Sequence, residues 1–98
     1  MEGRASTPYA IWRFNNKIRT IPTGKILRVE TLAPAVVHWG GAGWTGVNDV
    51  QTIDTGLGVF VADLDTAGLA PGSHVIFTFY WPDVGHWEGA DHVVAVRP

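Results

Sequence analysis

The sequence predicts an all-β sandwich, and three observations carry that prediction. Apolar residues recur at a spacing of two in several short runs. Turns rich in Gly, Pro, Asn and Asp separate these runs at intervals of roughly ten residues. Nowhere do apolar residues keep helical spacing for more than one turn.

Taken in order, residues 1–8, MEGRASTP, read as a disordered leader or linker end, and so abrupt a start looks like a piece of a longer polypeptide. Tyr9 to Phe14, YAIWRF, is a short aromatic-rich strand in which Trp12 can face either way. Asn15-Asn16 is a turn signal, Lys17 to Ile21 is a weak strand, and Pro22-Thr23-Gly24 turns the chain again. Lys25 to Leu32 alternates more cleanly and predicts a strand with Leu27 and Val29 inward. After Ala33-Pro34, the run AVVHW puts Val37 and Trp39 on one face and Val36 and His38 on the other. Only one of His38 and Trp39 can therefore point into the core.

Gly40-Gly41-Ala42-Gly43 is too rich in glycine to be helical and delivers Trp44 to the surface. Asp49 to Asp54 and Gly58 to Leu64 predict two further strands, and Leu64 to Leu69 could make one helical turn before Pro71-Gly72 closes it. In His74 to His92, Val75, Phe77, Phe79 and Trp81 alternate with Ile76, Thr78 and Tyr80, so the first set should face the core. Pro82 ends that strand, Asp83 to His86 turn, and His92 to Val96 returns as a second strand of a hairpin. The connection carries Trp87 and Glu88 where small polar residues would be ordinary, which holds an indole near solvent beside a carboxylate. Seven or eight such strands argue for an immunoglobulin-like antiparallel sandwich. Residues 9–98 are expected to form it as one domain, because 98 residues suffice for one core and are too few for two.

Composition narrows the function. An apolar fraction of 46% with 16% charged residues describes a foldable chain with a sparsely charged surface. The net charge of -2, with basic residues dispersed among apolar ones, gives phosphate backbones nothing to bind, so nucleic acid is not an expected partner. The absence of cysteine removes disulfides, thiol nucleophiles and thiolate metal sites. No apolar stretch approaches the roughly 18 residues a bilayer span needs, so no membrane partner is expected, and residues 1–8 lack the apolar segment of a signal peptide. Five tryptophans are more than a core of this size easily buries, so some are expected at the surface for a reason.

Three chemistries could draw on such residues. Hydrolysis needs paired carboxylates, but Asp49, Asp54, Asp83, Glu88 and Asp91 lie in or beside turns, where Asp is common because it bonds its own backbone. Ser6 and Ser73 lack a nucleophile elbow. No catalytic residue is therefore assigned. A divalent ion, calcium before zinc, could draw on Asp83, His86, Glu88, Asp91 and His92, but their spacing matches no metal motif, and neither metal nor cofactor is expected. Sugar rings fit best: they present apolar C–H faces fringed with hydroxyls, and a site for them needs flat aromatic platforms with hydrogen-bonding groups at the edges. His38, Trp44 and Trp87 are the candidate platform, with Asn48, Glu88, Asp91 and Tyr80 as polar or flanking contacts. Trp39 and Trp81 are assigned to the core.

The pattern VVHWGGAGW, the turn through Leu69, Pro71 and Gly72, and FTFYW followed by WEGADHVVAV resemble the small starch-binding modules appended to amylases. The chain is similar above all to the C-terminal module of bacterial glucoamylase-type (glucan 1,4-α-glucosidase) enzymes, over about Tyr9 to Arg97. The resemblance implies a non-catalytic sandwich that binds α-glucan and leaves hydrolysis to a catalytic domain on the same polypeptide. It also implies that His38, Trp44 and Trp87 contact glucose. Where such modules continue after the last tryptophan with Asp or Asn, this chain has Glu88-Gly89-Ala90-Asp91. The alternative is a structural spacer whose exposed aromatics pack against the parent catalytic domain. A polymeric substrate favours a secreted or cell-envelope parent.

Overall fold

The computed structural model describes residues 8–98. The leader expected at residues 1–8 lies, apart from Pro8, outside them. Ten strands follow one another: β1 Tyr9–Trp12, β2 Thr20–Pro22, β3 Ile26–Thr31, β4 Val36–Gly41, β5 Thr45–Gln51, β6 Ile53–Asp54, β7 Phe60–Leu64, β8 His74–Trp81, β9 His86–Trp87 and β10 His92–Arg97. A tight turn, Ala42–Trp44, separates β4 from β5. The protein is an all-β sandwich. One sheet runs β1-β3-β7-β6 and the other β2-β10-β8-β4-β5, with β9 added to β8.

Alternation sets the core. Leu27 and Val29 of β3, Ala62 and Leu64 of β7 and Trp12 of β1 meet Val37, Val75, Phe77, Phe79 and Val94 from the facing sheet, all 2% exposed or less. Burying a side chain of this size contributes about 1.5–3 kcal/mol, so this interleaved layer is what joins the sheets. At one end it grades into rings: Trp12 lies 5.1 Å from Phe77, 5.7 Å from Phe79 and 4.8 Å from His92, centroid to centroid. Thr66, almost fully buried, caps the edge of β3 by donating to the Lys25 carbonyl and accepting from the Leu27 amide.

The sheets differ from the expected antiparallel pairing at two places. β1 runs parallel to β3, and β2 runs parallel to β10. Both early strands are short, and β2 includes Pro22, which was expected in the turn. A proline suits this place because β2 is an edge strand and its missing N–H leaves no gap in an interior ladder. The expected helical turn near Leu64–Leu69 is instead a tight turn in which the Leu69 amide donates to the Thr66 carbonyl. The strand expected at Asp49–Asp54 begins earlier, at Thr45, and breaks at Thr52. Thr52 leaves the ladder because its amide donates to the Ala35 carbonyl while its hydroxyl accepts from the Ala35 amide.

Candidate functional site

The larger sheet has one face in the core and the other toward solvent, and the register fixes which side chains share the outer face. His38 pairs with Thr78 on one side and Asp49 on the other, while Tyr80 pairs with Trp87. Directly opposed residues point the same way, so His38, Asp49, Thr78, Tyr80 and Trp87 lie together on the outer face. Trp39 goes inward and packs against the core, half-buried. That resolves the choice between His38 and Trp39 as the alternation requires.

Trp44 reaches this face by a backbone device. The chain doubles back after β4, and Gly43 and Trp44 both take the left-handed conformation, with φ of +69° and +59°. For a tryptophan this costs on the order of 1–2 kcal/mol. The fold-back is so tight that a methyl group on Gly40 would sit 2.8 Å from the Thr45 carbonyl oxygen and 3.4 Å from a Val47 methyl. The loop expected at Gly40–Gly43 is non-helical, as its glycines require, but it is shorter than expected. Gly40 and Gly41 finish β4, and the turn is left to Ala42–Trp44, with left-handed backbone at Gly43 and Trp44.

The result is a connected set of rings. Trp44 lies 5.4 Å from His38 with the planes 35° apart, and Trp87 lies 5.5 Å from His38 at 80°. Tyr80 backs Trp87 at 5.3 Å and 64°. Trp87 is 53% exposed, His38 is 32% exposed and Trp44 is half-buried. Two facets therefore meet at a steep angle, one formed by Trp44 and His38 and the other by Trp87. Asp49 stands at the edge with Oδ1 2.6 Å from His38 Nδ1, its own side chain 62% exposed. On the opposite side, Thr78 donates its hydroxyl to the Ala90 carbonyl, so the segment before β10 crosses beside the rings.

Of the expected residues, His38, Trp44, Trp87 and Tyr80 are brought together, and three polar candidates are not. Asn48 pairs with Trp39, which puts it on the other face, and its side-chain amide donates to the Gly46 carbonyl. Glu88 turns away because its Oε1 accepts from Trp81 Nε1 at 2.9 Å, while its amide donates to the Phe79 carbonyl. It anchors the short strand that presents Trp87. Asp91 is exposed ahead of β10 and makes no hydrogen bond to the ring set among the described residues. The carboxylate that does join the rings is Asp49. Sequence reasoning treated it as a turn aspartate, although two-residue spacing across the β4–β5 hairpin would have paired it with His38.

The residues weighed for a cation disperse. His92 enters the core end, where its ring lies 4.8 Å from Trp12 and 5.4 Å from Phe77 and its Nε2 is buried without a hydrogen-bond partner. Desolvation there lowers its pKa below the ordinary imidazole value, helped by Lys17 and opposed by Glu88 and Asp91. Among the described residues no three His, Asp or Glu side chains gather to hold a metal ion.

With this geometry in place, the chain can be set beside known proteins. It is 33% identical over 97 residues to part of a cycloisomaltooligosaccharide glucanotransferase from Niallia circulans. The match covers 88% of this chain and 10% of that enzyme. No protein-family model matches the sequence, and no solved structure matches it. The chain thus spans about a tenth of the length of this curated relative, so what is similar is one segment of a much larger carbohydrate-active enzyme.

Proposed function

We propose that this chain is a non-catalytic carbohydrate-binding module that takes α-glucan by stacking sugar rings on His38, Trp44 and Trp87 and so holds an attached glucan-processing enzyme at its substrate. The observation that carries the reading is the set of ring contacts on one solvent-facing sheet surface, at 5.3–5.5 Å between neighbours. Exposed indole is costly to leave in water and suits the C–H face of a glucose unit. The two facets differ by 80° between His38 and Trp87, which matches a chain that curves between successive sugars better than a flat ribbon. The likeness to a segment of a glucanotransferase supports the same substrate class, and the sequence resemblance adds a glucoamylase-type hydrolase as the other parent proposed.

Stacking contributes about 1 kcal/mol per ring, so one such face binds weakly on its own. Tethering makes weak binding useful, because a linked enzyme meets its polymer at a high effective concentration. Titration with maltooligosaccharides and isomaltooligosaccharides, followed by tryptophan fluorescence and amide shifts, tests the reading, with cellooligosaccharides as the flat-chain control. Perturbation of the Trp44 and Trp87 signals at millimolar α-glucan is the expected result. Silence of both signals toward every α-glucan overturns it. If Trp44→Ala and Trp87→Ala leave starch pull-down unchanged and destabilise the full-length parent, the face is an intramolecular contact and the spacer alternative holds.

A further inference from the structure

We propose that Asp49 is the positioning residue of this face: it fixes the tautomer and the ring plane of His38, leaving Nε2 as the polar atom offered to a sugar hydroxyl. The consequence for binding rests on the carbohydrate reading above, whereas the tautomer is a property of the free protein.

The argument begins with two strands. Asp49 on β5 is directly opposite His38 on β4, and its Oδ1 lies 2.6 Å from Nδ1. An ionised carboxylate only accepts, so Nδ1 carries the hydrogen. In a neutral imidazole the other nitrogen is then a bare acceptor, and the bond made by one nitrogen decides the state of its partner. A histidine on a strand surface would otherwise turn freely about its last torsion. Here the carboxylate holds one edge while Trp44 lies 5.4 Å away with its plane tilted by 35° and Trp87 meets the ring at 80°.

This assigns the hydrogen-bonding half of the site. Glu88 is engaged by Trp81 and Asn48 by the Gly46 carbonyl on the other face, so neither edges the rings. His38 is then both platform and acceptor. A hydroxyl donating to Nε2 lies in the plane of the imidazole, at the rim of the stack, where hydroxyls of a sugar seated on Trp44 project. Asp49 acts on the ligand only through the ring.

The test uses the intact chain and has two arms. Long-range proton–nitrogen correlation spectra at about pH 8, above the ordinary imidazole range, report which nitrogen of His38 is protonated without any ligand. The expected result is the Nδ1-protonated form in the parent sequence and a mixture in Asp49→Ala. Predominant Nε2 protonation in the parent, or a tautomer indifferent to Asp49→Ala, overturns the inference. In the second arm, maltooligosaccharide affinity is measured for Asp49→Ala, His38→Phe and the double variant, each checked for an unchanged amide fingerprint. Asp49→Ala is expected to bind about five- to tenfold more weakly, and the double variant no worse than His38→Phe. Additive losses mean that Asp49 touches sugar directly and overturn its positioning role. If the parent sequence binds no glucan, the function proposed above fails, and the spectra still decide the tautomer.

Discussion

The protein carries two histidine-centred aromatic clusters on opposite faces of one sheet, and they have opposite physics. Under the sheet, the half-buried His92 lies among Trp12, Phe14, Phe77 and Phe79, with Nε2 buried and unpaired. Above it, His38 sits among Trp44 and Trp87 with a carboxylate on Nδ1. The ring separations are alike, 4.8–5.9 Å below and 5.4–5.5 Å above. What differs is water. Below, Trp12, Phe77 and Phe79 are 1% exposed or less, with Phe14 at the rim, whereas above Trp87 is 53% exposed. Aromatic proximity is thus no sign of a site until exposure and polar pairing are read beside it.

The sharpest way to break this contrast is to remove one indole from each cluster. Trp12→Ala, at 1% exposure, should lower the unfolding free energy by about 3–5 kcal/mol, read from the shift in denaturant midpoint. Trp87→Ala should change that midpoint by about 0.5 kcal/mol or less while weakening α-glucan binding about tenfold. Equal stability losses would mean that the upper cluster is core. The next effect in size is Gly40→Ala. Its methyl would press on the Thr45 carbonyl, and the turn bearing Trp44 must give, at a cost of about 1–3 kcal/mol. Trp44 should then show altered fluorescence even without ligand.

Smaller is the pH response of the lower cluster. Folding lowers the His92 pKa, so the unfolded chain binds the proton more readily. Its contribution to stability is therefore complete above the ordinary value of 6.5 and is lost as pH falls from there through the lower folded value. Thermal melts between about pH 8 and pH 5 should show this loss, and His92→Phe should flatten it, since a phenyl ring has no nitrogen to charge. The smallest expected effect is that of Glu88→Gln. The amide oxygen still accepts from Trp81 Nε1, so both stability and glucan affinity should stay within about 0.5 kcal/mol of the parent. A large loss of affinity alone would return Glu88 to the sugar contacts.

Local pattern reached a good part of this. Two-residue alternation was enough to send Leu27, Val29, Phe77 and Phe79 inward and to oppose His38 to Trp39, because those choices depend only on neighbours along the chain. Trp12 could not be decided from YAIWRF, since its burial comes from Phe77, Phe79 and His92, far along the sequence. The parallel pairings of β1 and β2 were illegible for the same reason: which strand lies alongside another is a long-range choice with no local mark. Within the site, the rings announced themselves by scarcity, as large aromatics among glycines. The polar partners did not. Asp49 looks like any turn aspartate until the hairpin register sets it opposite His38, and Glu88 looks like a sugar contact until Trp81 Nε1 is found to claim it.

The position of β10 has a consequence for how the ring-bearing sheet comes into being. His92–Arg97, the last strand among the described residues, lies between β2 and β8 rather than at a sheet margin. During synthesis the earlier strands emerge with that slot vacant, and the ladder closes only once β10 has followed them. Disrupting β10 would open a gap between β2 and β8 instead of shaving a border, whereas Trp87, carried on β9, would keep its backbone pairing with β8.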